Sequence, residues 1–386
     1  MYPNFIMSEI RKKNNTTIGI LYGGRSGEHE ISLLSAASVL RNLDSERFNV
    51  VPISIDKKGV WRLQDVQKIC PTQKGPLMID DKASEIVLLP KPGAPGQARV
   101  VELKSGKALL YLDCVFPVIH GPLCEDGTVQ GWLELCEVPY VGSGVLGSSL
   151  AMDKDLTKRV VKAVGIDVAP WRVLRWGKDV DYPSLIEEFS MPVFVKPSNM
   201  GSSVGVHKAK TLEQLKEAVE DAFLYDEKVL VEKAILGREI EFAVLQSGNQ
   251  VEISVPGEIR PKDEFYSYAS KYVDESGAEL VIPARFEDSV LKKGTEMVRK
   301  IFEILECRDL ARVDLFYVES EKKFLLNEVN TLPGFTSISM YPKLFEHTGI
   351  SYAHLLERLI ESAVTGFEHR SKLSREFLRK DLVPSV

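Results

Sequence analysis

Two short segments late in the chain constrain it most: Arg312-Val313-Asp314-Leu315 and Asn327-Glu328-Val329-Asn330. Each alternates apolar residues with charged or amide ones, as a strand with one buried face does. A hairpin closing symmetrically around Ser320-Glu321 is expected to set Asp314 opposite Glu328 and Arg312 opposite Asn330. Two carboxylates and an amide oxygen then converge beside a guanidinium. Hard oxygen donors in such a cluster suit Mg²⁺ that shares phosphate oxygens with a nucleotide. The plainer alternative is a hairpin with one solvated polar face. The rigid turn that follows, Thr331-Leu332-Pro333-Gly334, fits a backbone donor site better than a simple exit.

Four further segments carry chemistry. Val195 to Gly205 (VKPSNMGSSVG) lacks the G-K-[ST] ending of a phosphate-binding Walker loop and is expected between two strands. Its backbone N–H groups and two hydroxyls can fold over phosphates while Lys196 supplies positive charge; a surface hairpin is the alternative. Val229 to Glu239 reads as a strand running into a turn whose backbone can read an adenine edge, with Glu239 near ribose hydroxyls. A merely charged strand end explains it as well. Gly23 to Glu30 lacks the G-x-G-x-x-G form, so dinucleotide binding is not supported, yet a turn into a helix N-terminus offers an anion or zwitterion site. Glu28 there either pairs with an ammonium group or stabilises the helix dipole. His120, ahead of Gly121, is either a satisfied core histidine or a substrate contact. Finally, Glu264 to Tyr272 interleaves aromatics with Lys271; a lid that brings Lys271 onto phosphates is favoured over nucleic-acid binding.

The surrounding sequence frames these segments. At 386 residues the chain is expected to form two or three domains. Its balance of 44% hydrophobic and 27% charged residues argues against disorder throughout. No apolar run approaches the roughly 18–20 residues of a membrane span, and the first fifteen residues lack the apolar stretch of a secretory signal. A net charge of −6 disfavours a general nucleic-acid binder. Five cysteines with no C-x-x-C pair point away from a disulfide framework or structural zinc and toward a reducing cytosol. Strands are expected at 17–21, 50–55, 115–119, 192–196, 206–208 and 228–232, with helices at 31–43, 128–137, 145–162, 289–306 and 352–364. Antiparallel sheet is expected over 239–259, and loops with short hairpins over 64–108.

Seven stretches together, G-G-R-S-G-E-H-E-I-S, H-G-P-x-x-E-D-G-T-V-Q-G, P-Y-V-G-S-G, M-D-K, V-K-P-S-N-M-G-S-S-V-G, F-Y-S-Y-A-S-K-Y and N-E-V-N-T-L-P-G-F-T-S-I-S, resemble in this order the D-alanine–D-alanine ligases of the ATP-grasp superfamily. The match runs from about Thr17 to Leu359. It implies an α/β chain: a Rossmann-like N-terminal parallel-sheet domain (16–150) followed by a two-part ATP-grasp fold, α+β in character (151–240 and 241–366). A tail is expected at 1–15 and a basic one at 367–386. The implied activity is ATP-driven joining of two D-alanines through an acyl phosphate, for peptidoglycan synthesis, in the cytoplasm, by a homodimer without nucleic-acid or membrane partners. An ATP-grasp ligase for another carboxylate and amine, or for D-lactate, is the alternative; a silent nucleotide-binding protein ranks below both.

Carried over by residue, the resemblance has Lys154, Lys196 and Lys271 hold ATP phosphates under a loop of Gly201, Ser202 and Ser203. Glu232, Lys233, Ala234 and Ile235 frame the adenine, Glu239 binds ribose, and Asn327 and Glu328 also face ATP. Asp314, Glu328 and Asn330 bind two Mg²⁺ ions, with Mn²⁺ able to substitute and a monovalent cation as a further candidate. Glu28 binds the first ammonium and forms a trio with Ser202 and Tyr272, while Arg312 and the Gly334 N–H stabilise the tetrahedral intermediate. His120, Lys271 and Ser339 lie near substrate. Tyr272 favours an amine as second substrate over D-lactate. One departure stands out: Cys124 occupies a position where the family usually has glycine, so a left-handed backbone there would be strained.

Overall fold

The computed structural model describes residues 15–70, 75–261, 278–336 and 338–375. The chain opens with β1 (Thr16–Gly23), α1 (His29–Asn42), β2 (Phe48–Ile55), β3 (Trp61–Leu63) and a single turn, α2 (Val66–Ile69). β1 reads TTIGILYG and is buried almost throughout, as a strand covered on both faces must be. It pairs in parallel with β2 on one side and with β7 (Cys114–Pro117) on the other; β3 closes the edge antiparallel, giving the order β3-β2-β1-β7. Between them, the region expected as loops and hairpins forms a three-stranded antiparallel sheet of β4 (Ile86–Pro90), β5 (Ala98–Glu102) and β6 (Ala108–Leu112).

Next come α3 (Thr128–Leu135), α4 (Val145–Met152) and α5 (Lys154–Ala163), so residues 145–162 form two helices. Asp153 divides them and caps α5 by accepting the Leu156 N–H at 3.0 Å. β8 (Trp171–Arg175), α6 (Tyr182–Phe189), β9 (Val193–Pro197), β10 (His207–Ala209), α7 (Leu212–Ala222) and β11 (Lys228–Lys233) follow, with an antiparallel sheet ordered β10-β9-β11-β8. Thr211 caps α7 through the Gln214 N–H, as its sequence suggests. β8 and α6 are additions to the sequence reading; Asp181 caps α6, and Pro183 sits in the first turn, where a missing N–H does no harm.

The largest sheet is antiparallel. It contains β12 (Arg238–Ser247), β13 (Gln250–Ile253), β14 (Gly257–Pro261), β15 (Ala278–Val281), β16 (Leu310–Val318) and β17 (Lys323–Asn330), in the order β15-β14-β12-β16-β17 with β13 beside β12. α8 (Asp288–Ile304) packs on this sheet. The chain then forms α9 (Met340–Thr348), which the sequence reading lacks, and α10 (Tyr352–Ser371), seven residues longer than expected. These last helices return to the N-terminal sheet: Phe116, Phe335, Tyr341 and Leu359 share one buried cluster, and Arg47 pairs with Glu357 and Glu361 of α10 at 2.7 and 2.8 Å.

The hairpin β16–β17 sets Asp314 opposite Glu328 and Arg312 opposite Asn330, as expected, though symmetric closure is not the reason. From the turn outward, Val318 pairs with Lys323 and Leu315 with Leu326. Continued, that register would oppose Asp314 to Asn327. The register instead shifts between Leu315 and Asp314, leaving Asn327 as the extra residue of a β-bulge. Because side chains alternate, a one-residue slip changes the face of every later side chain. The bulge therefore brings Glu328 and Asn330 to the face of Arg312 and Asp314.

Candidate active site

On that face the Arg312 guanidinium grips Asp314 with two parallel hydrogen bonds, Nε to Oδ1 at 2.8 Å and Nη2 to Oδ2 at 2.7 Å. Glu241, opposite Asp314 on β12, lies 3.1 Å from Arg312 Nε, and Asn330 Nδ2 donates to Asp314 Oδ2 at 3.0 Å. Burial alone would lower the arginine's pKa, but Asp314 and Glu241 outweigh it and drive it upward, so the guanidinium stays charged. These contacts use Nε and Nη2; a guanidinium has two more donors on Nη1. Among the described residues no three His, Cys, Asp or Glu side chains converge on one point. Two carboxylates and an amide are an incomplete shell for a hard cation. They fit Mg²⁺ whose remaining ligands are phosphate oxygens and water.

Lysines face this cluster from two directions. Lys154, in the first turn of α5, donates to the Met200 carbonyl at 2.6 Å and lies 3.6 Å from Glu328 Oε2. Lys196, on β9, lies 2.8 Å from Glu232 Oε2 and 3.5 Å from Oδ1 of the bulged Asn327. Glu232, on β11, is buried, and its other carboxyl oxygen is 3.2 Å from Lys158. Burial alone would raise the Glu232 pKa; the two lysines outweigh that and lower it. Lys233 is exposed, Ala234 and Ile235 are half-buried just after β11, and Glu239 shares a strand face with Glu241.

The glycine/serine loop closes on the turn between β1 and α1. Ser202 donates to Glu28 Oε1, and the loop carries two consecutive left-handed residues, Ser202 (φ 49°) and Ser203 (φ 61°). Two glycines make room for the Glu28 carboxylate. A Cβ on Gly121 would meet Oε2 at 2.6 Å, and one on Gly201 would meet it at 2.9 Å. Neither glycine can take a side chain without moving the carboxylate.

His120 is buried and spends both ring nitrogens inside the protein. Nε2 lies 2.9 Å from Ser35 Oγ and Nδ1 3.2 Å from the Leu332 carbonyl, with Glu125 3.8 Å from Nδ1. Burial would depress its pKa, but Glu125 outweighs this and the net shift is upward. Ser35 Oγ also accepts the Phe335 N–H at 3.3 Å. His120 and Ser35 thus bracket Gly334 from both sides. Ser339 Oγ accepts the Thr336 N–H at 3.0 Å and stands 2.8 Å from where a Cβ on Gly334 would be. Glu125, Lys154, Met200, Gly201, Glu328 and Asn330 line a single cleft, so the three directions meet.

Lys271 and Tyr272 lie outside the described residues. Cys124 is unstrained: the left-handed residues of its loop are Gly121 (φ 79°), Leu123 (φ 70°) and Gly127 (φ 93°), and the thiol is buried. Three participants escaped the sequence reading. Glu241 stands two residues after Glu239 on one strand face, Lys158 one helical turn after Lys154, and both spacings are visible in sequence. Ser35 has no such local signal, since its partners are distant in the chain.

Two family models match the chain: "D-ala D-ala ligase N-terminus" over residues 17–143 and "D-ala D-ala ligase C-terminus" over residues 160–361. The D-alanine–D-alanine ligase A of Bradyrhizobium diazoefficiens is 48% identical over 366 residues, 93% of this chain and 97% of that protein. The structure of the D-alanine–D-alanine ligase from Coxiella burnetii superposes with a TM-score of 0.78 at 34% identity, covering 93% of this chain and 97% of that one. The Bacillus anthracis enzyme, solved as a complex with ATP, superposes with a TM-score of 0.69 at 25% identity, covering 92% and 99%.

Proposed function

The chain belongs to the D-alanine–D-alanine ligase family, and from that premise we propose how its residues divide the work. The reaction joins two D-alanines at the expense of ATP, through D-alanyl phosphate, as a step toward peptidoglycan; ADP and phosphate leave. The observation that carries the assignment of residues is the bulged hairpin, which gathers Arg312, Asp314, Glu328 and Asn330 on one face within reach of two lysines.

A carboxylate resists attack by an amine because its leaving group would be oxide. Transfer of the γ-phosphoryl group to a carboxylate oxygen of the first D-alanine supplies a better one. Lys154 and Lys196 offset the charge that moves between the phosphates, with the Gly201–Ser203 loop over them. Glu232 to Ile235 would frame the adenine and Glu239 the ribose. Asp314, Glu328 and Asn330 would hold Mg²⁺, which when bound neutralises phosphate charge. Glu28 would take the first substrate's ammonium, and its hydrogen bond with Ser202 ties loop closure to the occupied domain. The second D-alanine's amine attacks the acyl carbon, loses a proton and expels phosphate. Arg312 and the Gly334 N–H are the donors for the oxyanion of that step. Acyl phosphates hydrolyse in water, so closure over the site protects the intermediate.

His120 is best read as a group that holds the Leu332–Phe335 loop, since Nδ1 meets the Leu332 carbonyl and Nε2 meets Ser35, which accepts the Phe335 N–H. A cytoplasmic location agrees with five free cysteines, four of them buried. The homodimer follows from the family resemblance, and sedimentation velocity tests it. The deciding assay is phosphate release from ATP and Mg²⁺ with D-alanine, L-alanine or neither, with mass analysis of the product. D-Alanine-dependent release with dipeptide formed is the expected outcome. Binding of ATP without release would move the assignment to another carboxylate–amine pair.

A further inference from the structure

One buried cation has no part in that chemistry. Lys158, on α5 one turn beyond Lys154, is fully buried, a place a lysine occupies only when paired. Its ammonium faces Glu232 Oε1 on β11 at 3.2 Å, the Ala169 carbonyl at 3.5 Å and the Trp171 ring at 5.8 Å. Asp155 fixes that ring through Trp171 Nε1 at 2.9 Å, and Lys162 lies 5.3 Å from the same ring. Lys196 of β9 and Glu328 of β17 are the other charges that act on it.

Glu232 therefore bridges two lysines with one oxygen each: Lys158, fully buried, and Lys196, which also reaches Asn327 of the hairpin at 3.5 Å. A single buried carboxylate needs one counter-charge, and stranding it with none is strongly destabilising. Lys196 is the partner with another task. We propose that Lys158 is a positioning residue that frees Lys196 for the phosphates of ATP: it keeps Glu232 paired from behind, so that Lys196 can leave it. This rests on the reading of Lys196 as a phosphate-binding lysine.

A pH signature follows. Burial brings the Lys158 pKa down to about 8, against the pull of Glu232 and with the help of the like charge on Lys196. When Lys196 turns to the phosphates, that like charge recedes and the Lys158 pKa rises. ATP binding then takes up a proton above pH 8, and affinity must fall as pH rises through that value, by at most about tenfold per pH unit.

The test is calorimetric titration of the full chain with Mg-ATP, and separately with adenosine, from about pH 7 to about pH 9.5, for the wild type, Lys158→Arg and Lys158→Met. The wild type is expected to lose ATP affinity above about pH 8, and Lys158→Arg, which stays charged, to keep a flat profile. Lys158→Met is expected to bind ATP about tenfold or more weakly throughout, since Lys196 alone must then neutralise Glu232. Adenosine, without phosphates, should bind all three alike. The proposal is overturned if Lys158→Arg binds as poorly as Lys158→Met, if the pH step persists in Lys158→Arg, or if adenosine suffers as much as ATP. Should Lys158→Met fail to fold, the profiles of wild type and Lys158→Arg decide alone. Wild-type protein that binds no ATP at all would overturn the ligase reading along with this one.

Discussion

The hairpin β16–β17 and the loop Gly201–Ser203 approach the same cleft, but they are held there in different ways. The hairpin is fixed by register: a nine-residue and an eight-residue strand, backed by Val313, Leu315, Phe324 and Leu326, hold Arg312, Asp314, Glu328 and Asn330 within a pleat. The loop has no ladder. Two adjacent non-glycine residues at positive φ cost about 1–3 kcal/mol each, and the contacts that hold the loop include a hydrogen bond to Glu28, 174 residues away in the chain, and the Lys154 bond to the Met200 carbonyl. A site on strands is accurate before substrate arrives, whereas a site on a loop becomes accurate by closing. The division suits the proposed chemistry, in which the hairpin carries the charge-bearing groups and the loop excludes water once substrate is in place.

The harshest way to break this contrast is to delete Asn327. Without the bulge, Glu328 and Asn330 move to the buried face, and ligation should drop below detection. Asn327→Ala keeps the bulge and should cost about tenfold in kcat/KM, the worth of one charge-assisted hydrogen bond of roughly 1.5 kcal/mol to Lys196. Equal losses in the two variants would show that register is not what matters.

Ser202→Ala probes the loop. Removing its donor to Glu28 should lower kcat/KM about 10- to 100-fold while leaving the melting temperature nearly unchanged, because the hydrogen bond serves closure and not folding. A melting temperature that falls in step with activity would place this contact in the folded scaffold instead.

The smallest effect concerns how the hairpin is anchored. Asp309, just before β16, is buried and accepts the Gly142 N–H at 2.9 Å and the Ser362 hydroxyl at 2.8 Å. Burial raises its pKa to about 6, against those hydrogen bonds. An acid held above its unfolded value near 3.8 contributes stability that is full below that value and gone once pH passes about 6. Asp309→Asn should therefore melt a few degrees higher than wild type at about pH 8, and by a smaller margin at about pH 5, by calorimetry. A gain of the same size at both pH values would rule out the buried charge as its cause.

Much of the site was legible because its parts lie in local patterns. Period-two alternation placed Arg312 with Asp314 and Glu328 with Asn330, and the order of motifs identified the family. Even the bulge left a trace, since the buried residues of β17 run Phe324, Leu326, then Val329, a step of three where a regular strand steps by two. Lys158 and Glu241 were readable by the same periodicities but carry no motif. Ser35 was not readable, because its value depends on a loop brought in by tertiary packing. Helix α9, absent from the sequence reading, carries Pro342 in its first turn, where a proline is harmless. The short hairpins expected over 64–108 are the antiparallel pairs β4–β5 and β5–β6, which join into one sheet.

The bracket around Gly334 also bears on how the enzyme comes into being. Ser35 and Phe335 are 300 residues apart in the chain and one hydrogen bond apart in space. A ribosome adds roughly 5–20 residues each second, so the first helix waits many seconds for the loop it must hold. The loop, in turn, draws its partner for the Phe335 N–H from that helix and its partner for the Leu332 carbonyl from His120, 212 residues upstream. Catalytic competence is thus a late event in biosynthesis, and a chain truncated before its last fifth would carry Lys154, Lys196 and Glu28 yet lack both proposed oxyanion donors, Arg312 and the Gly334 N–H.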